Sequence, residues 1–238
     1  MPDALTQSHE PLEDHAHAGL EPDAPAAPAG AATSTTRKRP KPGERRVQIL
    51  QALASMLEQP SGDRITTAAL AARLGVSEAA RYRHFASKAQ MFEGLIEFIE
   101  QSVFSLVNQI VEREQAAAAG GAVDVGQRQA AKLIAMLLQF AEKNPGMARV
   151  MVGDALVFEN ERLIARMNQF FDKIEATLKQ CLRDGAAASA SATPTVDAQV
   201  RASVLAAFVG GRLQRFVRSG YKRLPSENLD ASLRVLLG

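Results

Sequence analysis

The residues of this chain best placed to do chemistry lie in one short run, Ser77-Glu78-Ala79-Ala80-Arg81-Tyr82-Arg83-His84-Phe85-Ala86-Ser87-Lys88. The chemistry they suit is recognition rather than catalysis. Ser77, Glu78 and Ala79 are small or polar, as the leading end of a helix must be to lie against base edges in a major groove. Arg81, Tyr82, Arg83 and His84 then offer a guanidinium, a phenol, a second guanidinium and an imidazole to phosphates or bases. Lys88 stands at a predicted helix start, where unpaired backbone N–H groups already favour a phosphate, and Thr66 and Thr67 stand at another. The plain alternative is a helical hairpin with a solvated basic face. Charge, spacing and capping taken together favour double-stranded DNA.

The elements that must hold this run are short helices with clear punctuation. Val47, Leu50, Leu53, Ala54 and Leu57 recur at helical spacing and predict a helix over about 44–58, stopped by Pro60-Ser61-Gly62-Asp63. Thr66 or Thr67 caps a second helix that turns Leu70 and Leu74 inward, and Gly75 suits the left-handed turn that closes it. Ser77 caps a third, the predicted recognition helix. A short helix, a glycine turn and a second short helix in a basic segment make a helix-turn-helix. Ser87, with Gln90 three residues on, predicts a capping box for a long helix over about 88–114. Its stripe reads Phe92, Leu95, Ile96, Ile99, Val103, Leu106 and Ile110.

Further helices are predicted over about 127–143, 147–157, 159–184 and 197–219, with Asn144-Pro145-Gly146 as a break. Residues 116–126 and 185–196 read as flexible loops, and 220–238 as a weak tail with one helical turn. In the 159–184 helix, Leu163, Met167, Phe170, Ile174, Leu178 and Cys181 share a face, Cys181 as a small core residue. Gly210-Gly211, in the middle of the last long helix beside Phe208, costs helix stability and points to close approach of another backbone. Phe208, Gly210 and Gly211 are therefore expected at a homodimer interface built from the last two long helices of each copy. Acidic clusters such as Glu159/Glu161 read as solvated helix faces.

Charge divides the chain of 238 residues unevenly, although its net value is only +2. Residues 1–36 carry six acids and no Lys or Arg; residues 37–88 carry eleven Lys/Arg against four acids; the remainder is nearly balanced. A local basic excess of that kind marks a polyanion partner. Residues 1–43 have few large apolar side chains and read as a disordered tail ending in the basic arm Arg37-Lys38-Arg39-Pro40-Lys41-Pro42. His9, His15 and His17 in that tail match no common zinc spacing and read as solvated. The single cysteine excludes an internal disulfide and any cysteine-based zinc site. No apolar stretch is long enough to span a bilayer, and acids and prolines stand where a signal peptide needs a basic start and an apolar run. No Gly-rich phosphate loop, Ser/His/Asp arrangement or carboxylate pair is visible. The expectation is a cytoplasmic, all-α, non-enzymatic protein without cofactor or metal. Its parts are the tail (1–43), a three-helix helix-turn-helix head (44–90), a helical dimerisation and partner-binding body (91–224) and a C-terminal tail (225–238).

The run Val76-Ser77-Glu78-Ala79-Ala80 followed by Tyr82-Arg83-His84-Phe85-Ala86-Ser87-Lys88 resembles the DNA-binding head of the TetR family. Arg64-Ile65-Thr66-Thr67, Met91-Phe92 with Leu95-Ile96-Glu97-Phe98-Ile99-Glu100, Asn144-Pro145-Gly146 and Phe216-Val217-Arg218-Ser219 are similar to the SlmA-type nucleoid occlusion factors within it. The similarity covers about residues 44–224. It implies a TetR-fold dimer, nucleoid-associated, that binds palindromic chromosomal sites. It implies that the DNA-bound dimer contacts the division protein FtsZ and blocks ring assembly over the nucleoid, with no small-molecule inducer. It also implies an FtsZ-binding surface at Phe98, Met136, Gln139, Lys143 and Asn144. Phe98 and Asn144 match the family residue, and the other three are substitutions. The long tail, the Ala/Ser-rich 185–196 segment and Arg81, where the family pattern has an apolar residue, depart from it. Arg81 lies four residues before Phe85 and is expected to lay its methylenes on the core with its charge at the edge. A ligand-responsive TetR-type repressor is the competing reading. Its sensing pocket would need convergent aromatic and polar groups, and the body stripes carry few of them.

Overall fold

The computed structural model describes residues 43–59, 65–75, 77, 83–117, 122–188 and 191–238. Eight α-helices and one 3-10 turn account for nearly all of them, and no strand occurs among the described residues. Helix α1 (Glu44–Leu57) and α2 (Thr67–Leu74) form the head; α3 (Lys88–Ala116) leads into the body. The body is α4 (Ala122–Lys143), α5 (Pro145–Met151), a 3-10 turn (Asp154–Leu156), α6 (Glu161–Ala188), α7 (Pro194–Arg218) and α8 (Leu229–Leu237).

The head is built as its punctuation predicts. Thr66 is the N-cap of α2, its hydroxyl accepting from the Ala69 N–H at 3.1 Å, and Gly75 closes the helix in the left-handed region at φ 61°. Ser87 caps α3 by accepting from the Gln90 N–H at 3.2 Å, while the Gln90 side chain reaches back past the cap to the Ala86 N–H at 2.8 Å. The inward face of α1 is Ile49, Leu50, Leu53, Ala54 and Leu57, whereas Val47 is 39% exposed. Ile49 sits with Leu53 and Leu57 on the i, i+4, i+8 row, and Val47 falls a quarter-turn outside it. Phe85 is buried, with the Arg46 guanidinium 4.6 Å over its ring.

One continuous core runs from the head into the body. In α3 the buried row is Phe92, Ile96, Ile99, Val103 and Val107; Leu106 is exposed and Ile110 half-buried, so the true row drifts away from the pair expected at its far end. All six residues predicted inward on α6, Cys181 included, are buried. Helices α6 and α7 pack on one another and on α4, and Phe104 of α3 meets Phe170 of α6 edge-on at 5.8 Å. Two buried polar groups staple α3 to α4. Glu114 pairs with Lys132 and with Arg128 (3.2 Å), and Gln129 donates to the Val111 carbonyl at 3.1 Å. The hydrogen bond from Lys132 holds the Glu114 carboxyl below its ordinary range, with Arg128 adding to it.

Several boundaries differ from expectation. Helix α4 starts at Ala122, not near 127, and α6 continues to Ala188, into the segment expected as the second loop. At the end of α6, Ala186–Ala188 are the best helix formers, and joined to a stable helix they extend it rather than ending it. Pro145 opens α5 at its first position, where its missing N–H costs nothing, and the helix predicted over 147–157 is α5 plus the 3-10 turn. Much of the predicted C-terminal tail is replaced by the nine-residue α8, whose Leu229, Leu233 and Leu237 are buried against α4 and α7. Asn228 enters it in the left-handed conformation, without the side-chain cap that marks a helix start.

Candidate nucleic-acid interface and partner surface

Besides Lys88, the structure describes five of the residues expected to contact DNA. Thr66, Ser77, Arg83 and His84 are exposed and Thr67 is half-buried. Arg83 and His84 stand in a turn, not in the last turn of a helix as the sequence suggested. The chain has to reverse there to bury Phe85 and then present Ser87 as a cap two residues later. Glu78, Ala79, Arg81 and Tyr82, with the basic arm at 37–42 and the three histidines of the tail, lie outside the described residues.

Lys88 is not the free cation expected at the start of α3. Its ammonium pairs with Glu159, and both side chains are largely buried. It also lies 5.7 Å over the Phe92 ring. Glu159, expected on a solvated face, is thus an internal ion-pair partner 71 residues away from Lys88 in the chain. The pair ties the first turn of α3 to the segment just before α6.

A second joint holds α1 to the body. Gly146 lies so close to α1 that an added Cβ would stand 1.9 Å from the Ala54 carbonyl oxygen. One turn on, the Arg149 guanidinium donates to the Leu57 carbonyl at 3.1 Å and the Gln59 carbonyl at 3.2 Å, and pairs with Asp154 at 2.6 Å. These are carbonyls that the end of α1 leaves without helical partners. The Tyr221 hydroxyl reaches the same Leu57 carbonyl at 3.3 Å. Burial raises the Tyr221 pKa, against the opposing effect of the Arg149 charge. Glycine at 146 is needed for the approach itself, a need that its place in the Asn144-Pro145-Gly146 break does not show.

The expected partner surface spans α3 and α4. Phe98 is half-buried and packs on the common core, as does Met136. Met136, Gln139 and Lys143 share a face of α4 by their i, i+3, i+7 spacing, and Gln139 and Lys143 are exposed. Asn144 is half-buried and pinned, its amide donating to the Phe140 carbonyl at 2.7 Å. Gln139 also lines a polar cleft of about 520 Å³ with Ser226, Asn228, Asp230 and Arg234 from the C-terminal segment. Those neighbours were missed because that segment reads as a tail.

Phe208 is half-buried, with Arg212 4.9 Å over its ring. Gly210 and Gly211 face open space within the chain: an added Cβ at either would meet nothing within 4 Å. Among the described residues no cluster of His, Cys, Asp and Glu is arranged to hold a metal ion, and no helix is long and apolar enough to cross a membrane.

Residues 49–95 match the family described as bacterial regulatory proteins of the tetR family, and residues 123–237 match the SlmA-like tetracyclin repressor-like C-terminal domain. The nucleoid occlusion factor SlmA of Aliivibrio fischeri strain MJ11 is 52% identical over 192 residues, covering 80% of this chain and 93% of that protein. SlmA of Vibrio cholerae is 51% identical over 187 residues (78% and 90%), and that of Idiomarina loihiensis 47% over 192 residues (81% and 93%). This chain belongs to the SlmA family of nucleoid occlusion factors. Its fold is the TetR fold of DNA-binding, dimeric regulators. The SlmA-like match runs to residue 237, so the family's C-terminal domain takes in α8. Among solved structures, the transcriptional regulator FadR of Bacillus subtilis in complex with stearoyl-CoA aligns with TM-score 0.63 at 14% identity (81% of this chain, 97% of that one). FadR of Bacillus halodurans aligns with TM-score 0.60 at 18% identity (84% and 97%). At such identities these two bear on the fold alone.

Proposed function

We propose that this protein binds palindromic chromosomal DNA as a dimer and, while bound, engages FtsZ so that a division ring does not assemble over the nucleoid. The observation that carries this reading is the likeness to SlmA proteins across both parts of the chain, at about half identity and over nine-tenths of their length. The geometry supports it. The head is joined to the body through Gly146, Arg149 and Lys88, so an orientation fixed by DNA is passed to the body as a unit. Ser77, Glu78, Ala79, Arg81, Tyr82, Arg83 and His84 contact DNA, with Thr66 and Thr67 at the start of α2. Lys88 serves chiefly to hold α3. The exposed face Gln139–Lys143 together with Phe98 takes FtsZ. Helices α6 and α7 form the dimer around Phe208, Gly210 and Gly211, the two glycines leaving open space within the chain for the partner protomer. No inducer is required.

The test is sedimentation of purified FtsZ polymers with this protein, with and without duplexes that it selects from a randomised pool. Polymer loss that depends on the selected duplex is expected; no effect on FtsZ under either condition would overturn the reading. Phe98→Ala separates the two activities, because Phe98 is only half-buried. FtsZ engagement should weaken at least tenfold while affinity for the selected duplex stays within about twofold. Loss of both, with a lower melting temperature, would make Phe98 a core residue.

A further inference from the structure

The turn between the 3-10 segment and α6 carries two apolar side chains with nothing to cover them. Val157 is 61% exposed and Phe158 82% exposed. Their neighbours on both sides are held firmly: Leu156 is buried, and Glu159 is fixed by Lys88. Phe158 is therefore presented by an anchored turn. A single exposed apolar side chain is ordinary, but Val157 and Phe158 are adjacent and form a small apolar patch.

The same chain carries a matching hollow. A cleft of about 330 Å³ opens between α6 and α7, lined by the apolar Ile164, Met167, Phe171 and Ala206 with Gly210, and also by the polar Asn168, Asp172, Glu175 and Gln214. Gly210 contributes no side chain, and the space above its Cα is empty. The cleft begins beside residues 151–153, at the foot of the turn that bears Phe158, yet Phe158 of the same chain does not fill it. Val196, Val200 and Val204 form a separate exposed apolar row along α7 at i, i+4, i+8 spacing.

We propose that Phe158 of each protomer inserts into the α6/α7 cleft of a second copy. A knob and a hollow on one chain are what a two-fold interface requires, since each copy gives and receives the same contact. The contact anchors the interface at the end of α6 nearest the head, and Gly210 is the residue that keeps the hollow open. The inference rests on the proposed α6/α7 dimer and adds a particular contact to it.

The experiment is sedimentation equilibrium of the full chain over a dilution series, for wild type, Phe158→Ala, Gly210→Leu and the double variant. Phe158 is exposed and Gly210 faces open space, so neither change removes packing within a protomer. Each single variant should raise the dimer dissociation constant on the order of thirtyfold, the range of a buried aromatic anchor. The double variant should be little worse than either single, because both remove one contact. Dimerisation of Phe158→Ala at wild-type affinity would overturn the proposal, as would losses that multiply in the double variant. Normal dimers of Phe158→Ala that no longer engage FtsZ would assign the knob to that partner and overturn it equally. Gly211→Leu keeps the two readings apart: if it weakens dimers while Phe158→Ala does not, the α6/α7 dimer stands and the knob fails.

Discussion

Replacing Gly146 with Ala tests the joint between head and body at its tightest point. The new Cβ would lie 1.9 Å from the Ala54 oxygen, 2.9 Å from its carbonyl carbon and 3.2 Å from the Glu58 nitrogen. All three are backbone atoms, which cannot swing aside as a side chain can. Ordinary contact begins near 3.4 Å, so α5 and α1 must part by about 1.5 Å. That displacement also carries Arg149 away from the Leu57 and Gln59 carbonyls, whose bonds at 3.1 and 3.2 Å have little slack. Overpacking of this kind costs about 1–3 kcal/mol, and loosening the two charge-assisted bonds brings the whole to about 2–4 kcal/mol. At about 2–4 °C per kcal/mol for a chain of this size, the melt should fall by roughly 5–15 °C. Circular dichroism melts read this directly. DNA affinity measured well below the melt should fall as well, because the displaced head no longer holds its place relative to its two-fold mate. A Gly146→Ala protein that melts within about 1 °C of wild type would refute the close approach and the reasoning built on it.

Glu159→Gln should lower stability by about 1 kcal/mol by leaving the largely buried Lys88 without its partner, read by urea denaturation; unchanged stability together with tighter DNA binding would return Lys88 to the phosphate-contact role. Glu114 has its carboxyl pKa lowered by Lys132 and Arg128, so its contribution is present above the unfolded-state value of 4.5 and is lost as pH falls through the lower folded value. Glu114→Gln should therefore flatten the acid limb of the stability–pH curve, and an unaltered limb would argue against the pairing. Deleting residues 1–43 removes Arg37, Lys38, Arg39 and Lys41. The slope of log affinity against log salt should become shallower by up to about 3.6 per protomer with site preference unchanged, whereas a changed preference at fixed slope would make the arm a base reader.

What could be read from the sequence and what could not divide along physical lines. Thr66, Gly75 and Ser87 did in the structure what their types predict, because a cap is decided by residues within three positions of it. The apolar rows of α1, α3 and α6 were readable for the same reason, with Val47 of α1 and Leu106 of α3 misplaced where two phases of a 3.6-residue period compete. Helix α8 was not readable as a helix: nine residues without a side-chain cap are marginal alone, and its three leucines hold it only once α4 and α7 are there to receive them. The joints were invisible altogether. Lys88 and Glu159 are 71 residues apart, Arg149 and Leu57 are 92 apart, and Tyr221 and Leu57 are 164 apart. No local spacing reports such pairs. The consequence bears on function. Recognition residues in the head are local features, so composition and capping reveal them. The proposed function needs, besides those residues, a stiff path between head and body, and the contacts that join them lie between segments distant in sequence. Gly146 is the clearest case. By type and position it is a helix-breaking residue after a proline, and only the Ala54 carbonyl lying against it gives it a part in holding the DNA-reading head to the body.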